Sequence, residues 1–269
     1  MSTRIHPTAV VDPRAELAGG VEVGPYAVIG PQVRIGADCW IGAHAVLDGR
    51  VQMGCGNRIF PGACIGLEPQ DLKYTGDPTG VVLGDGNTIR ECVTINRATR
   101  GELVTRVGSN NLLMAYSHLG HNCLLGDRIV IANGVAVAGH VQIADRAVIG
   151  GMLGIHQFVH IGTLAMVGGM SRIERDVPPF TTVEGHPARV RALNRIGLQR
   201  SGLADRAGGG ELEDLKRTWT LIYRRGLPLA SALAQLRQQG PLSAAAEELV
   251  AFLEASMAPE RRGPIPGTR

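Results

Sequence analysis

An aliphatic side chain recurs every six residues along the first two thirds of the chain. Between Ile5 and Ile173 this frame has 29 positions, and 26 of them hold Ile, Val, Leu or Met. Strands this short cannot bury an apolar face alone, so successive coils must stack on one another. The pattern therefore predicts a parallel β-helix over residues 1–188, with three hexads in each coil. The exceptions in the frame are Asp71, Asp77 and Gly101.

Two interruptions of the frame predict loops that leave the β-helix near 67–80 and 97–106. Beyond residue 188 the apolar spacing becomes helical, which predicts a small α-helical domain over 189–269. We expect its last residues, 261–269, to be loose. The predicted helices are Val190–Leu203, Glu211–Arg225, Leu229–Arg237 and Leu242–Ala258.

Composition narrows the class of protein. The chain has 269 residues with 37 glycines and only 4% aromatic residues, which suits many tight corners around a thin aliphatic core. No apolar run reaches the length of a membrane span, and the N-terminus lacks a secretory layout, so we expect a cytoplasmic protein. Five cysteines without a CxxC pair support neither a disulfide framework nor a cysteine zinc site.

Charge is unevenly distributed. Lys and Arg outnumber Asp and Glu by 13 to 8 in residues 189–269, whereas the rest of the chain is slightly acidic. A basic C-terminal part could attract an acidic protein partner, although a solvated helical surface would have the same composition. We expect no nucleic-acid partner.

Five of the eight histidines fall between residues 118 and 160. At 18 residues a coil, His121, His140 and His156 should lie near one edge on successive coils. Such a column could supply a general base, bind a metal ion or serve only to pack the edge of the coil. Some β-helical trimers bind zinc through histidines shared between subunits, and a resemblance to them would require one histidine about two coils before the pair His118 and His121. The same count gives Val82 and Asp85 there, so we expect no metal.

Several segments resemble one family of hexapeptide-repeat transferases, the UDP-N-acetylglucosamine O-acyltransferases, which begin lipid A synthesis. The similarity covers nearly the whole chain and implies a left-handed β-helix, a helical C-terminal domain and a homotrimer with sites at subunit clefts. It also implies no cofactor, because the phosphopantetheine arm of acyl carrier protein carries the acyl group. The matching segments are Gln70–Tyr74, Arg90–Arg97, Gly108–Met114, Ser117–Cys123, Ala138–Val141, Ile149–Met152, Ile155–Phe158, Met166–Gly169 and Asp176–Pro179.

The resemblance implies transfer of an (R)-3-hydroxyacyl group to the 3-hydroxyl of UDP-N-acetylglucosamine. It assigns the general base to His121 and the oxyanion-binding N–H to Gly139. A neutral imidazole can take a hydroxyl proton near neutral pH. Gly169 matches the position that limits acyl chain length. The substrate-binding residues that it implies are Asp71, Lys73, His118, His140, His156, Gln157, Asn194 and Arg200.

Some positions depart from the family pattern. Asn122 follows the base where some relatives have Asp, and an amide stabilises an imidazolium less than a carboxylate does. Ser201 and Ile196 replace an Arg and a Glu, and Asn96 replaces a histidine. An acetyl-CoA-dependent acetyltransferase is the enzymatic alternative, but it should lack the Gln70–Tyr74 segment. A purely structural β-helix would not explain the crowded histidines.

Overall fold

The computed structural model describes residues 2–203, 205 and 210–268. Its first part is a three-sided coil of short strands, which a β-hairpin connects to four helices. The strands in chain order are β1 Arg4–Ile5, β2 Val10–Val11, β3 Glu16–Leu17, β4 Glu22–Val23, β5 Val28–Ile29, β6 Val33–Ile35, β7 Trp40–Ile41, β8 Val46–Leu47, β9 Arg50–Met53, β10 Arg58–Ile59, β11 Cys64–Ile65, β12 Gly80–Leu83, β13 Thr88–Ile89, β14 Thr94–Ile95, β15 Val104–Val107, β16 Leu112–Leu113, β17 His118–Leu119, β18 Leu124–Leu125, β19 Val130–Ile131, β20 Ala136–Val137, β21 Gln142–Ile143, β22 Val148–Ile149, β23 Gly154–Ile155, β24 His160–Ile161, β25 Met166–Val167, β26 Arg172–Ile173, β27 Thr181–Gly185 and β28 Ala188–Leu193. The helices are α1 Arg195–Arg200, α2 Gly210–Arg224, α3 Leu229–Gln238 and α4 Ala244–Ser256.

Up to β26, every third strand stacks in parallel on the same side of the coil, and β27 then continues face 1 beside β25 and pairs antiparallel with β28. Face 1 runs β1-β4-β7-β10-β13-β16-β19-β22-β25-β27-β28, face 2 runs β2-β5-β8-β11-β14-β17-β20-β23-β26, and face 3 runs β3-β6-β9-β12-β15-β18-β21-β24. Paired residues are normally 18 apart, as in Arg4 opposite Glu22. The predicted parallel β-helix is therefore confirmed.

Two loops lengthen the spacing between stacked residues. Loop 1 (66–79) separates β11 from β12, and loop 2 (96–103) separates β14 from β15, so the last residues of the predicted 97–106 loop belong to a strand. Because of loop 2, His118 pairs with Thr94, and because of loop 1, Thr94 pairs with Cys64. The count that placed Val82 two coils before His118 was wrong, although neither actual partner is a histidine.

The interior of the coil is mostly aliphatic, and three buried amides form a ladder along it. Asn57, Asn87 and Asn111 are buried one above another along the edge that precedes face 1. Asn87 donates through its backbone N–H and its Nδ2 to Oδ1 of Asn57, at 2.9 and 3.0 Å. The backbone N–H of Asn111 donates in turn to Oδ1 of Asn87 at 2.9 Å. Hydrogen bonds along the ladder offset the cost of burying these amides.

The connection to the helices differs from the sequence prediction. The segment predicted as a helix from Val190 to Leu203 begins instead as β28, which pairs antiparallel with β27. Val190 is buried opposite Val183, whereas Arg191 is exposed, and this alternation suits a strand. The helix begins only at Arg195, and residue 188, where the predicted domain boundary falls, is the first residue of β28.

The C-terminal tail is ordered over its described residues, contrary to prediction. Ile265 is buried, and its N–H donates to the carbonyl of Asp176 at 2.8 Å. The buried carboxylate of Asp176 accepts from Arg261 Nη2 at 2.6 Å and from Ser256 Oγ at 2.5 Å. This network fastens the helical domain and the tail to the last coil. Among the described residues, no helix is long and apolar enough to cross a membrane.

Candidate active site

An open cavity of about 500 Å³ lies on face 2 and reaches the edge between faces 2 and 3. Its floor consists of the outward-facing residues of four consecutive strands, His118, Ala136, Gly154 and Arg172. The small residues in the middle leave room for a ligand beside the histidines. Lining residues from the loops and edges are Gln70, Asn96, Gly120, His121, Ala138, Gly139, His156 and Glu174.

Hydrogen bonds fix the orientation of the His121 ring. Its Nδ1 lies 2.9 Å from Oδ1 of Asn122. The same oxygen accepts the backbone N–H of Thr99 at 3.2 Å, and a backbone N–H can only donate, so the amide oxygen must face this way. Nδ1 of His121 therefore carries the hydrogen, and Nε2 is left as a basic nitrogen.

Gly139 stacks directly against His121 from the next coil. A Cβ at this position would lie 2.5 Å from Nε2 of the ring and in still closer contact with Cε1. Only glycine allows the ring to approach the backbone this closely. Within the described part of the chain, the Gly139 N–H has no hydrogen-bond acceptor, so it is free to bind an oxygen beside the ring.

Two further histidines flank this pair. Nδ1 of His118 lies 2.7 Å from the hydroxyl of Thr94, and the His140 ring lies edge-on to the His121 ring at 5.1 Å between centroids. Burial lowers the pKa of His118, and His121 nearby lowers it further. Burial and His121 also lower the pKa of His140. Both rings are therefore held neutral near neutral pH.

Loop 1 borders the cavity through Gln70. Loop 1 also carries Asp71 and Lys73, which were predicted to bind substrate and which differ in exposure. Asp71 is half-buried and accepts the Lys73 N–H at 3.0 Å, whereas the Lys73 side chain is exposed. The charge of Asp71 also acts on His140, in the direction that favours the protonated ring. Loop 1 therefore brings one carboxylate near the histidines.

Asn96 lines the cavity but is almost wholly buried. Its Nδ2 donates to the carbonyl of Glu68 at 2.8 Å, so the side chain ties loop 2 to loop 1. Within the described part of the chain its Oδ1 has no partner.

The remaining predicted residues on the β-helix lie along the two edges of face 2, where it meets face 3 and face 1. His156 lines the cavity, and its Nδ1 lies 3.0 Å from the carbonyl oxygen of Gln157, which is not a lining residue. Gly169 is exposed on the edge between faces 1 and 2, opposite the His121 edge. A Cβ there would lie 3.2 Å from the carbonyl oxygen of Gly151, so any side chain at this position requires the backbone to shift by a few tenths of an ångström.

The two residues predicted from the helical domain do not reach the cavity within one chain. Asn194 is buried as the N-cap of α1, where its Oδ1 accepts the Gly197 N–H at 3.0 Å and its Nδ2 donates to the Leu164 carbonyl at 2.8 Å. Arg200 is exposed at the end of α1, and Ile196 is exposed at its beginning. Ser201 caps that helix.

Sequence reasoning missed two charged residues of the cavity. Arg172 and Glu174 form an ion pair at its far end. The signal was present, because Arg172 is the outward residue of the hexad 18 positions after Gly154. Across the described residues, no three His, Cys, Asp or Glu side chains are arranged to hold a metal ion.

Comparisons with known proteins agree with this architecture. A family profile described as bacterial transferase hexapeptide matches residues 2–37 and 105–139, and one described as UDP-N-acetylglucosamine O-acyltransferase, domain 2, matches 176–265. Curated relatives named acyl-(acyl-carrier-protein)–UDP-N-acetylglucosamine O-acyltransferase come from Gloeothece citriformis, at 56% identity, and Rippkaea orientalis, at 58%. Each match covers 99% of this chain and 95% of the relative.

Solved structures agree as well. LpxA from Acinetobacter baumannii superposes with a TM-score of 0.89 at 39% identity, covering 97% of this chain and 99% of that one. UDP-N-acetylglucosamine acyltransferase from Campylobacter jejuni gives 0.88 at 35% identity, covering 99% and 100%. These likenesses confirm the left-handed β-helix with a small helical C-terminal domain. Together with the curated relatives, they show that this chain belongs to the UDP-N-acetylglucosamine O-acyltransferase family, a family of acyltransferases.

Proposed function

We propose that this chain transfers an (R)-3-hydroxyacyl group from acyl carrier protein to the 3-hydroxyl of UDP-N-acetylglucosamine, the first step of lipid A synthesis. The single observation that carries the mechanism is the pairing of His121 with Gly139. Nδ1 of the ring is held by Asn122, while Nε2 lies beside Gly139, whose backbone N–H has no acceptor among the described residues. A base and an oxyanion donor side by side are what acyl transfer requires.

In this mechanism Nε2 of His121 takes the proton of the sugar hydroxyl as its oxygen attacks the thioester carbonyl. The Gly139 N–H stabilises the negative oxygen of the tetrahedral intermediate. The carbon–sulfur bond then breaks, the ester carbon–oxygen bond remains, and the imidazolium returns its proton to the departing thiolate. The phosphopantetheine arm of the carrier protein brings the acyl group, and no other cofactor enters the scheme.

The other predicted residues would hold the substrates. Neutral His118 and His140 can donate or accept hydrogen bonds with the sugar and the acyl hydroxyl, and Asp71 and Lys73 would hold the glucosamine end. His156 and Gln157 would contact the nucleotide–diphosphate part. Gly169, at the far edge of face 2, would leave space for a long acyl chain.

A homotrimer completes the proposed site. Exposed Arg200 lies away from the cavity of its own chain, so it would contact the phosphates and uracil bound by a neighbouring subunit. Asn194, whose side chain is already hydrogen-bonded inside its own chain, would support that contact by capping α1. The edge between faces 1 and 2 exposes Tyr116, Met152 and Met170 at 70%, 70% and 81% of their surfaces, which suits burial against another chain. Light scattering should give a mass of three times the 28.4 kDa chain.

Acyl carrier protein would dock on the basic C-terminal part of the chain. Attraction between exposed opposite charges weakens with salt, because the Debye length falls to about 3 Å at 1 M ionic strength. The Michaelis constant for the carrier protein should therefore rise between 0.05 and about 0.5 M salt. We also place the reaction in the cytoplasm, where five free cysteines suit a reducing environment.

The donor and the acceptor can be tested together. The protein is incubated with UDP-N-acetylglucosamine and either hydroxyacyl carrier proteins of several lengths or acetyl-CoA, and the products are identified by mass spectrometry. We expect an O-acylated sugar nucleotide only with the carrier-protein donors. Product only with acetyl-CoA would instead support the acetyltransferase alternative. A parallel reaction with the 3-amino analogue of the sugar nucleotide shows which acceptor is preferred.

A further inference from the structure

Loop 2 reaches the proposed base through one threonine. Oδ1 of Asn122 accepts the hydroxyl of Thr99 at 3.0 Å as well as its backbone N–H at 3.2 Å. Thr99 is half-buried and is not a lining residue of the cavity. Its side chain therefore contacts the amide that holds His121, while remaining outside the substrate cavity.

The amide is held from its backbone side as well. Asn122 adopts a left-handed conformation with φ 60°, and its N–H donates to the hydroxyl of buried Thr105 at 2.9 Å. Thr105 therefore holds the backbone of Asn122, and Thr99 holds its side chain. The position of the amide is determined before any substrate binds.

Loop 2 is itself fastened to loop 1. The Gly101 N–H donates to Oδ2 of Asp77 at 2.6 Å, and Arg97 pairs with Glu68 at 3.1 Å. Thr99 lies between these contacts in sequence, so loop 1 restricts where its hydroxyl can be. The chain of contacts runs from loop 1 through loop 2 to Asn122 and His121.

We propose that Thr99 is a positioning residue for His121: by donating twice to Asn122, it keeps the amide oxygen towards Nδ1 and so keeps Nε2 of the ring unprotonated. If the amide turned over, its NH2 group would face Nδ1 and favour the other tautomer. That tautomer carries its hydrogen on Nε2 and cannot take the hydroxyl proton there. The proposal rests on the proposed role of His121 as the base.

The test compares five variants with the wild-type full chain, using kcat, both Michaelis constants and the midpoint of thermal unfolding. Thr99→Val removes the hydroxyl but keeps the size and the N–H, and Thr99→Ser keeps the hydroxyl. Thr88→Val is the matched control, because Thr88 is half-buried on face 1, on the far side of the coil from the His121 edge. Asn122→Ala, alone and combined with Thr99→Val, completes a double-mutant cycle.

We expect Thr99→Val to lower kcat about 3- to 10-fold, the usual effect of one lost hydrogen bond, with both Michaelis constants within about twofold. Thr99→Ser and Thr88→Val should keep kcat within about twofold of wild type. The loss in kcat should shrink as the pH falls, because the imidazolium and the productive tautomer both carry a hydrogen on Nδ1 and the unproductive tautomer does not. The titratable groups facing His121, namely His118 and His140 with Asp71 beyond, are unchanged in these variants.

The cycle decides whether the effect passes through Asn122. In the Asn122→Ala background, Thr99→Val should change kcat by less than about twofold, because the amide it orients is gone. An undiminished loss in that background would overturn the proposal, as would unchanged kcat in Thr99→Val alone. His121→Ala, measured in parallel, tests the role of His121 separately from the role of Thr99. Activity that survives in His121→Ala would reject His121 as the base, whatever the result for the Thr99 variants.

Discussion

Adding one methyl group at Gly139 should disable the proposed base without unfolding the protein. The new Cβ would lie 2.5 Å from Nε2 of His121, whereas carbon and nitrogen atoms in contact are about 3.5 Å apart. The ring must therefore move by about 1 Å. A displacement of that size in a catalytic group can cost about 100-fold in rate. We therefore expect Gly139→Ala to lower kcat by about two orders of magnitude.

The thermal stability of Gly139→Ala should change far less than its kcat. Gly139 is not among the glycines with a left-handed backbone, and its Cβ would point towards the cavity. Alanine limits the unfolded chain more than glycine does, which is worth about 0.4–1 kcal/mol and offsets the weakened contact between the displaced ring and Asn122. Circular dichroism should therefore show a midpoint of thermal unfolding close to that of wild type.

Gly210→Ala is the matched control, since it adds the same methyl group at the first residue of α2, outside the cavity. A Cβ at Gly210 meets no atom within 4 Å, so kcat should stay within about threefold of wild type. Steady-state assays of both variants at saturating substrates make the comparison. Near wild-type kcat in folded Gly139→Ala, or equal losses in the two variants, would refute the reasoning that the position of the His121 ring controls the rate.

Four further substitutions test the C-terminal network, the contact with the base and the acyl site. Asp176→Asn should lower the free energy of unfolding by about 3–5 kcal/mol, because it leaves Arg261 unpaired in a largely buried site. As the control, Glu16→Gln breaks an exposed ion pair and should lower it by less than about 1 kcal/mol. Denaturant titration measures both free energies. Asn122→Asp should move the acidic limb of the kcat/KM profile to higher pH by about 1 pH unit, since a carboxylate stabilises the imidazolium; an unmoved limb would contradict the contact with the base. Gly169→Met should shift the kcat/KM preference to shorter acyl chains by about tenfold or more, and an unchanged product profile would remove Gly169 from the acyl site.

The β-helix could be predicted from sequence because every coil repeats the same physical requirement. One aliphatic residue per hexad must point inward, and the frame kept its phase through both loops because their insertions are multiples of six: Gly80 pairs with Arg50, and Val104 pairs with Gly80. The same regularity concealed the stacking. Counting 18 residues back from His118 could not reveal that its partner is Thr94, because the inserted residues leave the coil.

The end of the chain was harder to predict, because long-range contacts determine its structure. Val190 has helical neighbours in sequence, but pairing with β27 gives it a buried place in a sheet. Residues 261–268 look like a loose tail of Arg, Gly and Pro, yet Arg261 reaches Asp176 across 85 residues. No local pattern records such contacts. Arg172 is different, since the hexad frame itself places it on the cavity floor.

The most direct measurement is formation of acylated UDP-N-acetylglucosamine from hydroxyacyl carrier protein by wild type, His121→Ala and His121→Gln, each checked for an unchanged unfolding midpoint. The account predicts product with the wild type and a loss of at least about 100-fold in both variants, because neither side chain can accept the hydroxyl proton. Product formation at a comparable rate in either variant would contradict the central claim that His121 is the base.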